Sequence, residues 1–245
     1  MAIDGRVILR SQEYPQELID SVAALSRLVT ADETLESTVA RIAELSVLAI
    51  EGADDCGISL VTNGHIETIA ATSEVGHRID ALQLETGQGP CLSSIEKQAT
   101  FHIPDLSKDQ TWPRFSERAA QVIGVSSLLG FVLKVGEGSL GAMNVMSRQT
   151  DVFDDAAIAA GAVFAAQAGV ALANALTHRQ NQRKVGQLEE GIRTRQVIGE
   201  AVGIVMATQR VPSEKAFEIL KTISQNTNVK LRVVAAGLVE RIDDL

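Results

Sequence analysis

From Ala156 to Ala207 the chain contains no proline, and the glycines in that stretch (Gly161, Gly169, Gly186, Gly191, Gly199 and Gly203) stand singly. A helix interior cannot carry proline without losing a hydrogen bond and clashing, whereas isolated glycines weaken a helix without ending it. The stretch is also Ala-rich and periodic from Phe153 onward. A single long helix is therefore predicted, crossing a domain boundary. Read as a heptad seam, its positions are Ala171, Asn174, His178, Asn181, Val185, Leu188, Ile192 and Arg195. Half of these are polar, which weakens a coiled coil but fixes its register and dimeric state. Two readings stay open, a dimer seam and a solvated connecting helix, with the seam favoured.

The end of this stretch opens a run of three amphipathic segments. Val197, Ile198, Ala201, Val202, Ile204 and Val205 recur at three- and four-residue steps, one apolar stripe of a helix. Pro212 then breaks the chain and Ser213 is expected to cap the next helix. Ala216, Phe217, Leu220 and Ile223 form the second stripe; after the turn at 226–228, Leu231, Val234, Ala235, Leu238 and Ile242 form the third. Three such stripes bury one another as a small bundle, marginal alone and steadier if its first helix continues upstream or pairs with a partner.

The residues that carry this pattern also resemble a family. Arg195 to Ile198, Glu200 to Met206, Ala216 and Phe217 with Leu220, Ser224 and Gln225, Asn228, Lys230 and Leu231, and Val234 and Ala235 match the order and spacing of the ANTAR domain. That domain is a three-helix RNA-binding module found at the C-terminus of bacterial transcription antiterminators. The resemblance covers about residues 193–241. One departure is Val202, where many relatives carry Lys, which removes one positive charge from the expected surface.

Upstream, the pattern changes. Residues 1–14 show no strong periodicity, and helices are predicted from Pro15 to Leu28 (stripe Leu18, Val22, Leu25, Leu28) and from Glu33 to Ile50 (Leu35, Val39, Ile42, Ala43, Leu45 and Leu48 inward). Cys56 to Val61 alternates like a strand, Asn63-Gly64 is a hairpin turn, and His65 to Ala71 returns. A helix over 75–84, a short one over 91–97, a strand at 101–104 and a helical stretch from Trp112 to Val122 follow. A second hairpin pairs 126–134 with 139–146 around residues 136–138. This order predicts an α+β domain, an antiparallel sheet with flanking helices. Its motifs, Gly87 to Leu92, His102 to Asp105, Trp112 to Phe115, Leu140 to Val145 and Phe153 to Asp155, resemble the GAF domain, a sensor module of bacterial signalling, over about residues 34–176. A GAF domain followed by an ANTAR domain is a familiar arrangement in actinobacterial regulators. The expected organisation is an N-terminal segment and helix (1–32), a GAF sensor domain (33–176), a helical linker or coiled coil (177–192) and an all-α three-helix ANTAR domain (193–245).

Charge separates the two halves. The chain carries −9 overall, yet residues 178–245 hold 11 Lys+Arg against 8 Asp+Glu, a net of +3, leaving −12 for residues 1–177. Opposite signs point to different partners. The positive set on the tail is Arg193, Arg195, Lys230 and Arg232; under the family resemblance Arg195, Gly203 and Lys230 fall in its motif, and these five are the expected RNA-binding residues, held to RNA hairpins in nascent transcripts. Lys and Arg neutralise phosphate, and guanidinium planes stack on unstacked bases; Gly203 serves either close backbone approach or helix packing. The opposing reading is a solvated helix face. Aromatics make up only 3% of residues, so a stacking platform for single strands is nearly absent.

In the sensor half, Cys91, His102, Asp105 and Asn144 lie near the family's motifs and are the candidates for a pocket that takes a small molecule, of no identified kind. Asn144 is read as a turn cap and Phe153 as core. Cys91, beginning a short helix, is either a thiol of lowered pKa acting as a redox sensor or, the favoured reading, a buried inert cysteine. The free methionine sulfoxide reductases, an enzyme family of the same fold, use several cysteines, and Cys56 with Cys91 does not reproduce that set. The histidines, 65, 77, 102 and 178, show no metal spacing, and no nucleotide loop or nucleophile elbow is present. No enzyme is expected. No apolar run reaches membrane-spanning length and no signal peptide is recognised, so a cytoplasmic protein without a membrane partner is expected. The function this implies is a signal-responsive antitermination regulator that dimerises on activation; the alternative is an interaction module whose C-terminal bundle only dimerises.

Overall fold

The computed structural model describes residues 15–28, 34–62, 64–136 and 138–243. The expectations for residues 1–14, for a helix start at Glu33, and for Asn63 and Glu137 in the two hairpin turns lie outside them, as does the side chain of Ile242. The chain divides into two units, Met1–Arg179 and Gln180–Leu245.

The first unit is built on a five-stranded antiparallel sheet. Its strands are β1 (Asp55–Thr62), β2 (His65–Ala71), β3 (Phe101–Ile103), β4 (Ser127–Val135) and β5 (Gly138–Ser147), in the order β2-β1-β5-β4-β3. Two hairpins supply most of it, and their inner strands β1 and β5 pair in the centre, with Gly57 opposite Asn144 and Ser59 opposite Ala142. Because side chains alternate across a strand, each strand serves two faces. Cys56, Ile58, Leu60, Leu129, Phe131, Leu133, Met143 and Val145 join one core. That core is closed by α1 (Gln16–Leu28), α2 (Leu35–Ala49) and the start of α6 (Asp155–Gln209). Thr34 begins α2, its hydroxyl accepting from the Ser37 N–H at 3.1 Å. Leu48, expected inward on α2, is 61% exposed.

On the opposite face Leu128, Met146 and Ile103 pack with Ile79, Leu82, Trp112 and Phe115. These come from α3 (Glu74–Thr86), the Trp112 corner and α5 (Pro113–Arg118), with α4 (Pro90–Lys97) laid between. Pro113 takes the first turn of α5, where its missing N–H costs nothing. After Arg118 the helix widens into a π-helical turn over 119–123, so the predicted helix to Val122 exists in two geometries.

Helix α6 runs unbroken from Asp155 to Gln209, the long rod expected from the missing prolines. Against expectation, it contains an 18-residue window of mean hydropathy 1.8, long and apolar enough by length and composition to cross a membrane. Half of that window is buried, and Ala157, Ala160, Phe164, Ala165, Ala168, Ala171 and Leu172 of the same helix belong to the core on the sheet. Ala171 therefore leaves the predicted seam; it is core.

In the second unit the rest of α6 packs with α7 (Ser213–Thr227) and α8 (Leu231–Asp243). Ala201, Val205, Ala216, Leu220 and Ala235 form the buried centre. Pro212, not Ser213, is the N-cap residue of α7, with no side-chain cap bond, so Ser213 is the first helical residue. Asn228 ends α7 in the left-handed conformation (φ 52°), and Ser224 Oγ donates to the Val229 carbonyl at 2.6 Å. Phe217, expected in the core, is 39% exposed: it sits about 100° round the helix from Ala216, outside the stripe that Ile219 and Leu220 continue.

Candidate functional site

The sensor-face residues are organised by a carboxylate that the sequence reading did not single out. Asp80 lies on α3, beside the buried Ile79, and is 2% exposed. Ser59 Oγ donates to its Oδ2 at 2.9 Å and Thr68 Oγ1 to the same oxygen at 3.2 Å. Asn144 Nδ2 donates to Oδ1 at 2.7 Å, with Gln83 Nε2 at 3.4 Å. Gln83 in turn accepts the Cys91 N–H on Oε1 at 2.7 Å, tying the start of α4 to α3. Four elements, β1, β2, β5 and α3, thus meet at one carboxyl group, and α4 is joined to it through Gln83. The fit is close: a Cβ on Gly57 would lie 2.9 Å from Asp80 Oδ2, and one on Gly130 would lie 3.1 Å from Ser94 Oγ. Asn144 Oδ1 and Ser94 Oγ are buried without a hydrogen-bond partner among the described residues.

Burial pushes the Asp80 carboxyl above the usual carboxylate range, only partly opposed by the hydrogen bonds from Ser59, Asn144 and Thr68. Burial, helped by the charge of Asp80, pushes the Cys91 thiol up to about 12. The lowered thiol pKa of a redox sensor is thus not what this environment produces. Cys56, buried on the other face, is likewise pushed up to about 12, chiefly by burial.

Of the four pocket candidates, Cys91 and Asn144 are brought together here, and His102 and Asp105 are not. Asn144 sits mid-strand on β5 rather than capping a turn. His102 is exposed on β3 and its ring meets Phe153 edge-on at 6.4 Å, the side opposite to its neighbours Phe101 and Ile103. Its pKa is lowered by burial, against the pull of Asp151 and Asp155. Asp105 caps the turn at 106–108 and pairs with Lys108 at 2.6 Å. Lys108 holds its carboxyl below the ordinary value. Phe153 is buried core. Asp80 and Gln83 were findable: they share a predicted helix with Ile79 and Leu82, and the inward alternates of the first hairpin, Ser59 and Thr68, are hydroxyls.

The second unit carries the basic candidates. Arg193, Arg195, Lys230 and Arg232 are all exposed in it. At 100° per residue, Arg193 and Arg195 point about 200° apart round α6, so they do not form one patch. Arg232 pairs with Glu190 of α6, which places it towards the Arg193 side. Arg193, Arg195 and Lys230 have no ion pair among the described residues. Gly203 is exposed, and a Cβ built on it meets nothing within 4 Å, so helix packing does not require it. Val185 (53%), Leu188 (67%) and Ile192 (65%) lie on an exposed stretch of α6, without cover among the described residues.

Two family profiles match the chain, the GAF domain over residues 30–173 and the ANTAR domain over residues 186–239. No curated protein matches it. Among solved structures, the GAF domain of a phosphoenolpyruvate-protein phosphotransferase from Coxiella burnetii is similar at TM-score 0.53 and 16% identity, over 67% of this chain and 98% of that one. The GAF domain of the Acinetobacter phosphoenolpyruvate-protein phosphotransferase gives TM-score 0.50 and 17% identity, over 66% and 96%. The reduced form of fRMsr of Staphylococcus aureus gives TM-score 0.50 and 11% identity, over 63% and 94%. At these identities the likeness shows the fold alone.

Proposed function

The chain belongs to the GAF domain family and carries a C-terminal ANTAR domain, and from that premise we propose a cytoplasmic, signal-responsive regulator of the actinobacterial kind. It binds RNA hairpins in nascent transcripts through its second unit and prevents transcription termination by occupancy, with no covalent step. The observation that carries this reading is the ANTAR match over residues 186–239, on a compact three-helix unit whose Arg193, Arg195 and Lys230 have no ion pair among the described residues. Free cations on a folded surface are what phosphate neutralisation uses, and they make binding fall steeply with salt.

The sensor is the GAF unit. Its Asp80 cluster ties β1, β2 and β5 to α3 and, through Gln83, to α4, so a signal that displaces α3 or α4 must break it. Output passes along α6, which starts in the sensor core and ends in the ANTAR bundle. A second copy paired along Val185, Leu188 and Ile192 brings two RNA-binding surfaces to a pair of hairpins. The same bare stripe also favours the rival reading, an interaction module that only dimerises.

Transcription of a template whose terminator overlaps a tandem hairpin tests the proposal, using the full-length chain at two salt concentrations. Readthrough that rises with protein, weakens at high salt and is lost in Arg195→Ala plus Lys230→Ala supports it. Readthrough unaffected by the protein, with self-association intact, gives the rival its place.

A further inference from the structure

Helices α6 and α7 of the second unit enclose an open groove of about 600 Å³, within the range of small-molecule sites, roughly 300–1,000 Å³. Ile198, Gly199 and Val202 line one side and Phe217 the other, with Arg195 and Glu218 among the polar groups around them. Phe217 is the only Phe, Tyr or Trp in 178–245. It is 39% exposed, whereas Phe115, Phe131, Phe153 and Phe164 are at most 3% exposed. A Cβ built on Gly199 meets nothing within 4 Å, so the surface beside the Phe217 ring is open backbone.

Resting on the RNA-binding reading above, we propose that this groove is a nucleobase site. An unstacked loop base lies against the Phe217 ring, its phosphate is met by Arg195, and its edge turns towards Glu214 and Glu218. Three features favour a base over a protein helix. The apolar surface is a short slot between the Phe217 ring and the Ile198 and Val202 side chains, floored by the bare backbone of Gly199, which suits a flat ring, whereas an amphipathic helix needs a longer row of anchor positions at i, i+3, i+4 and i+7. Arg195 has no ion pair among the described residues and is free for a phosphate oxygen. Glu214, and Glu218 with the oxygen that Lys221 leaves open (Lys221 Nζ meets Oε1 at 3.2 Å), are acceptors when ionised, so they orient the nucleotide with its backbone towards Arg195 and select base edges that offer N–H donors. Stacking on Phe217 is sequence-tolerant; the carboxylates supply the discrimination.

The test uses the full-length chain and tandem hairpins with randomised loops, enriched on that chain, each loop base then replaced by an abasic residue. One abasic position is expected to weaken binding by roughly tenfold. Phe217→Leu is expected to weaken the intact RNA by about the same factor, to add no further loss on that abasic RNA, and to be rescued by Phe217→Tyr. Circular dichroism of the Leu variant must match the parent. Phe217→Leu binding like the parent, or losses that add at every abasic position, overturns the groove while leaving RNA binding standing. Failure of any RNA to enrich removes both.

Discussion

Replacing Asp80 by Asn isolates the charge at the centre of the sensor face from its shape. Asp80 is 2% exposed, and its carboxyl is raised above the ordinary 3.8, chiefly by burial. A group whose folded pKa exceeds its unfolded one stabilises the fold fully below the unfolded value, and that stability is lost as pH rises through the folded value. Asp80 therefore makes the native unit less stable as pH climbs from about 3.8, by up to about 1.4 kcal/mol per pH unit, until its raised pKa is passed. A carboxamide at this position cannot titrate, so Asp80→Asn should gain on the parent over that window and then hold a constant offset. At low pH the variant starts behind, because its amide replaces one acceptor oxygen by a donor facing other donors, a mismatch of about 1–3 kcal/mol. Urea unfolding of both proteins at half-unit pH steps gives the difference curve. Taking the difference removes Glu85, Asp105 and Asp109, whose lowered pKa values give an opposite slope in both proteins. A flat difference, or one that favours the parent as pH rises, refutes the claim that burial dominates at Asp80. Asp80→Ala is the control: it orphans the amide of Asn144 and the hydroxyl of Ser59 and should lose stability at every pH.

Gly57→Ala places a methyl 2.9 Å from Asp80 Oδ2, and overpacking of that kind should cost about 1–3 kcal/mol by urea unfolding. Both cysteines are buried with thiols pushed up to about 12; an aromatic disulfide reagent at mildly alkaline pH should therefore find no fast-reacting thiol in the native chain and both thiols in urea. Leu188→Asp with Ile192→Asp should abolish self-association in sedimentation velocity while leaving the helical content unchanged, since both side chains already face solvent in the single chain.

How much of this was legible in the sequence follows from what each signal measures. Strand boundaries came within a residue or so because β1 alternates in sequence and the turn residues of two hairpins bracket the strands. The rod came from an absence, the missing prolines between 156 and 207. Periodicity failed where one helix serves two environments: α6 supplies Ala171 to the sheet core and Leu188 to solvent, and a heptad reading assigns both to one seam. Proximity in sequence failed at the site. His102 and Ile103 are neighbours, but the pleat sends them to opposite faces, so the His102 motif contributes Ile103 to the α3 side and leaves the imidazole beside Phe153. Asn144 was found because its strand motif is distinctive; its partner Asp80 was not, because 64 residues separate them and only sheet topology joins them. The same logic accounts for Phe217. As a stripe member it read as core, and only the packing of Ala216, Ile219 and Leu220 shows that the bundle closes without its ring. An aromatic that its own core leaves out is available for something else, which is why the least expected side chain in the second unit carries its most specific prediction.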